Sequence, residues 1–109
     1  MSHIIAKTIF DRINDIITRC TICHTIMDMK ESEFRMNGIS FPASNREILD
    51  GRRNAIKEKA MQYLDVHYAM KCGEQVSEEE IKQTIHVLDK LSYSLEHLEV
   101  DVKHYDLFI

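Results

Sequence analysis

Along the last third of the chain, Ile81, Leu88, Leu95 and Val102 recur every seven residues, and Thr84, Leu91, Leu98 and Tyr105 recur in the same rhythm three residues later. A repeat of this kind lays both sets along one seam of an α-helix, as in coiled-coil packing. The middle of the chain repeats the pattern less cleanly. Leu49, Ile56, Tyr63 and Met70 alternate there with Arg53, Ala60 and His67, so two polar residues interrupt the seam. The first third carries two stripes rather than one. Ile5, Ile9, Ile13, Ile16, Cys20, Cys23, Met27 and Phe34 form a main face, while Ile4, Ile22, Ile26 and Met29 fall on another. Thr18, Thr21, Ile22, Thr25 and Ile26 crowd its middle with β-branched side chains, which predicts a kink or break.

Punctuation sets the limits of these periods. Ser44 with Glu47, and Ser77 with Glu80, have the spacing of capping boxes, in which a hydroxyl caps the helix start and a carboxylate three residues on reaches back. Gly38 and Gly73 stand where a helix ends most easily, on a left-handed residue. The helices are therefore expected at about 3–36, 45–72 and 78–105, within one domain spanning 1–109. Asn37 to Ala43 is read as a connector holding the only proline, with Ile39 and Phe41 expected to cap the core rather than lie against a partner, and Gly73 to Val76 as a tight turn. The fold class that follows is all-α: a bundle of three long helices in which helices 2 and 3 form an antiparallel hairpin.

The double stripe of helix 1 has two readings. Either a second subunit or a target protein covers the extra face, giving a dimer and a larger bundle, or the helix lies deep within its own monomer. Composition favours neither disorder nor a membrane span. The 109 residues are 44% apolar and 29% charged, with one Pro and three Gly. A chain this short buries only about 65% of its unfolded surface, so burial between subunits is an accessible source of stability. A formal charge of −4 disfavours broad binding to nucleic acid or anionic lipid. No apolar run approaches a membrane span, and Lys7, Asp11 and Arg12 interrupt any leader-like start, so an intracellular, cytoplasmic protein is expected. Cys20, Cys23 and Cys72, an odd number within helical patterns, are expected as reduced thiols packed like small apolar groups.

Several strings carry possible chemistry. Cys20-Thr21-Ile22-Cys23-His24 matches C-x-x-C-H, the pattern in which two thiols bind haem covalently and the histidine ligates iron. The same Cys20, Cys23 and His24 are candidate metal ligands, as are His97, Asp101 and His104, one helical turn apart, with His86 further back on that face. The alternative for both groups is core thiols and solvated histidines, and no cofactor is expected. Arg19 and His24 form R-x4-H, which resembles the active-site motif of HEPN-type ribonucleases, compact helical proteins that usually act as dimers. The resemblance covers six residues. It implies that Arg19 and His24 from two subunits would bind a phosphate and assist attack by a ribose 2′-hydroxyl. Here the motif lies in the first helix, and Cys20 follows the arginine where Asn or Asp is common.

Arg46, Arg52, Arg53 and Lys57 cluster near the start of helix 2, where free backbone N–H groups favour an anion, and Gly51 leaves room for close approach. They are candidate ligands for a phosphate or nucleotide. An inward-facing Arg53 requires a carboxylate, carbonyl or phosphate partner. The alternative is surface pairing with Glu47, Asp50 and Glu58. His67 on the seam is read as a satisfied core histidine, and Glu78, Glu79 and Glu80 as complements to the helix dipole. No Gly-rich phosphate loop, Ser-His-Asp set or H-E-x-x-H pair occurs. The functional expectation is a non-enzymatic interaction protein, such as an inhibitor, adaptor or immunity-type partner, working as a homodimer. The arginine-cluster ligand site stands second and RNA cleavage third.

Overall fold

The computed structural model describes residues 2–40 and 43–105. They form four helices, α1 (Ser2–Met36), α2 (Ala43–Gln62), α3 (Leu64–Lys71) and α4 (Glu78–Lys103), with no strand among the described residues. This is the expected bundle of three long rods, with the middle one divided at Tyr63. Arg12 pairs with Asp89 and Arg19 with Glu99, so α1 and α4 run parallel. Arg46 reaches Asp28 while His67 reaches Ala6, and α2 and α3 therefore run antiparallel to α1. A helix of α1's 35 residues is about 52 Å long, which accounts for most of the 57 × 18 × 16 Å envelope. The radius of gyration of 17.2 Å exceeds the roughly 13 Å of a compact chain of this size.

The core is the set of stripes turned toward one another. Ile9, Ile13, Ile16, Cys20 and Met27 of α1 are fully buried against Leu88, Leu95, Leu98 and Val102 of α4 and the Leu49, Ile56 and Ala60 row of α2. Thr84 also sits on the seam, its hydroxyl donating to the Glu80 carbonyl at 2.8 Å, which removes the cost of burying it.

Both glycines expected at helix ends adopt left-handed backbone, Gly38 at φ 67° and Gly73 at φ 80°. Each closes a Schellman motif: Gly38 and Ile39 donate to the carbonyls of Arg35 and Phe34, and Gly73 and Glu74 to those of Met70 and Ala69. The Ser77 cap is present, its hydroxyl oxygen accepting from the Glu80 N–H at 3.1 Å. Ser44 does not cap: α2 begins one residue earlier, at Ala43. Ile39 is 46% exposed and caps no core, whereas Phe41 and Pro42 lie outside the described residues. Nothing comes within 4 Å of the position a Cβ would take at Gly51, so no helix exploits its missing side chain.

The interruption falls in a different helix from the one expected. α1 continues unbroken through its β-branched segment, where the Thr21 and Thr25 hydroxyls donate back to the carbonyls of Ile17 and Thr21 at 3.1 Å. The buried row on that segment's other side keeps it helical. The middle rod instead breaks at Tyr63, whose N–H bonds the Ala60 carbonyl three residues back. A single tightened turn of this kind needs neither Gly nor Pro.

Candidate functional site

The most developed polar feature lies where α2 starts beside the second half of α1. Arg46, with a side chain only 12% exposed, donates from all three of its nitrogens. Nε reaches Asp50 at 2.8 Å, Nη1 reaches Glu31 at 3.2 Å, and Nη2 reaches Asp28 at 2.8 Å. Nη2 also lies 3.4 Å from His24 Nδ1. A guanidinium only donates, so this bond makes Nδ1 the acceptor and places the ring proton on Nε2, toward Asp28 at 3.4 Å. Arg53, equally withdrawn from solvent, donates to Asp50 at 3.3 Å and so has the carboxylate that its inward position requires.

Three carboxylates therefore surround two guanidiniums. Burial tends to raise the Asp50 carboxyl, but hydrogen bonds and charge from Arg46 and Arg53 outweigh it and hold the group below the ordinary carboxylate range. Asp28 is lowered as well, chiefly by its bond from Arg46. An incoming phosphate would have to displace carboxylates already in place. Arg52 faces the other way and pairs with Asp101 of α4 at 2.6 Å, and Lys57 sits half-buried further along α2. The cluster that is contiguous in sequence is thus split between two helix interfaces. Of the surface partners expected for it, Asp50 is used; the others are replaced by Asp28, Glu31 and Asp101 from neighbouring helices.

The C-x-x-C-H residues also diverge. Cys20 and Cys23 are buried in the core, the Cys20 thiol lying 3.8 Å from the Arg53 carbonyl oxygen, while His24 joins the acidic network. Burial raises both thiols, Cys23 to about 11, and keeps them protonated. Cys72 is exposed at the end of α3 and does not pack as a core thiol. On α4, the His97 ring meets the edge of Tyr93 at 4.6 Å, Asp101 is held by Arg52, and His104 ends the helix in an exposed position. Among the described residues no three His, Cys, Asp or Glu side chains converge to hold a metal ion.

Arg19 and His24 occupy different flanks of α1. Arg19 faces α4, where Glu99 binds it and raises its pKa further, with Asp15 at 3.3 Å as a second partner. His24 faces α2. Within one chain the two do not form a joint site.

The remaining distinctive surface is the second stripe of α1. Ile4 is 70%, Ile22 51% and Met29 60% exposed, while Ile26 alone of that stripe packs partly against the core. The reading in which α1 is sunk on all sides into its own monomer is therefore not realised. No helix among the described residues is long and apolar enough to cross a membrane.

Fold and surface together define the chain as an elongated, all-α, up-down-up bundle in which Arg12, Arg19, Arg46 and Arg52 pair across helix interfaces. Compared with protein-family models, curated proteins and solved structures, the chain matches none.

Sequence reasoning identified Arg46, Arg53 and His24 but not Asp28 and Glu31, the acids that engage them. Asp28 follows His24 by four residues on one helical face, the signal that would have linked them. Glu31 offered no comparable clue, because its partner lies 15 residues away across a turn.

Proposed function

We propose that the protein is a non-enzymatic helical interaction protein, of inhibitor, adaptor or immunity type, that pairs with a second copy of itself through the outer stripe of α1. The observation behind this reading is the contrast between the two stripes of that helix: the main one is buried, and Ile4, Ile22 and Met29 remain open to solvent along the other. Removing such side chains from water contributes roughly 1.5–3 kcal/mol each when burial is complete. A long rod presents that row at helical spacing, the form in which another helix recognises a partner. The charged side chains named for catalysis are committed to bundle contacts, which also favours binding over chemistry.

Light scattering after size exclusion, across a wide range of protein concentration, tests the self-pairing. A dimer that becomes monomeric in the Ile22→Glu and Met29→Glu variants is the expected result. A wild-type protein that stays monomeric throughout, or a dimer indifferent to both substitutions, overturns pairing through this face.

A further inference from the structure

Where the middle rod bends at Tyr63, α3 lies against the first turns of α1 around a cavity of about 350 Å³, lined by Ala6, Lys7, Phe10, His67, Tyr68 and Lys71.

 We propose that this cavity binds a small aromatic anion, a ligand that joins one flat ring to a phosphate or carboxylate group.

Three features of the cavity point to that chemistry. His67 is only 8% exposed, and its Nδ1 lies 3.0 Å from the Ala6 carbonyl oxygen. A carbonyl only accepts, so Nδ1 carries a proton, and in the tautomer with that single proton Nε2 keeps a lone pair. No buried side-chain nitrogen or oxygen among the described residues lacks a partner. Nε2 has none there, so it reaches solvent where His67 lines the cavity. It can accept from a protonated phosphate oxygen or a ring N–H.

The second feature is a set of ring surfaces. The Phe10 ring centroid lies 4.8 Å from that of His67, tilted by 33°, and that of Tyr68 lies 5.2 Å from it, tilted by 59°. Phe10 is 39% and Tyr68 53% exposed, which leaves aromatic surface for a flat ligand to stack upon. The third is charge. Each of the six arginines holds a carboxylate, whereas Lys7 and Lys71 have no such partner among the described residues and are exposed. Two unneutralised ammonium groups beside an aromatic wall suit an anion on a ring, and the volume falls at the lower end of small-molecule sites, about 300–1,000 Å³.

Amide correlation spectra of the full chain, titrated with phenyl phosphate, inorganic phosphate and phenol, test the site. Phenyl phosphate should move the Lys7, Phe10, Tyr68 and Lys71 signals to saturation, with binding at least about tenfold tighter than either fragment. The double variant Lys7→Gln, Lys71→Gln changes only exposed side chains and should keep the thermal midpoint while weakening binding by about tenfold or more. Absence of saturable shifts, equal affinity for inorganic phosphate, or shifts confined to other residues would each overturn the proposal.

Discussion

Arg46, in the first turn of α2, lies with its Nη2 2.8 Å from Asp28 Oδ1 near the end of α1, across a connector that separates them by 18 residues. Because the same guanidinium also holds Glu31 and Asp50, it fixes the pitch at which α2 sets out along α1. Replacing it with alanine leaves three carboxylates facing one another without their shared cation. Arg46→Ala should destabilise the fold by roughly 2–4 kcal/mol, with Arg46→Lys intermediate because an ammonium cannot match the planar fork. Urea denaturation measures both; a loss no larger than that of an exposed surface pair would show that the network does not hold the interface.

The same network sets an acid limit. Asp50 has a lower pKa in the folded chain than in the unfolded one, so its contribution is present above the unfolded value of about 3.9 and is lost as pH falls through the folded value. Below about pH 5 the wild type should therefore lose stability more steeply than Asp50→Asn, whose deficit at neutral pH should shrink as the solution becomes acid. Parallel stability curves for the two proteins would place the acid sensitivity elsewhere.

Gly51 is exposed inside α2, with open space where a Cβ would stand. Gly51→Ala should raise stability by about 0.5–1 kcal/mol, since alanine costs less backbone entropy in a helix and meets no neighbour. A lower thermal midpoint in the variant would mean that the glycine serves a contact outside this chain.

The three thiols differ in access. Cys20 and Cys23 are buried and raised, whereas Cys72 is exposed. A disulfide reagent should modify Cys72 promptly in the native protein and reach the other two only on unfolding, and a Cys72→Ser variant should lose the prompt phase and keep the slow one. Rapid reaction of all three would show that the core opens readily.

Core burial makes the sharpest demand. Ile16 is fully buried in the middle of α1, and Ile16→Ala should cost about 2–5 kcal/mol by removing apolar contact and leaving a cavity. A loss below that range would require the bundle to collapse around the gap.

The sequence determined the helices and most of the core. Periods of seven residues marked the buried rows of α4 and α2, the main stripe of α1 became its buried face, and Gly38, Gly73 and Ser77 ended or began helices because their local chemistry acts within a few residues. Such signals are read from neighbours along the chain. Tertiary structure alone decided the break at Tyr63, the continuity of α1 and the partners that the arginines find on neighbouring helices. A single tightened turn costs so little that packing against α1 outweighs local preference, and Asp28, Glu31 and Asp101 meet Arg46 and Arg52 only after three rods align. The cavity around His67 has the same origin: Ala6 and His67 stand 61 residues apart along the chain, and only the packing of the middle rod on α1 brings them together.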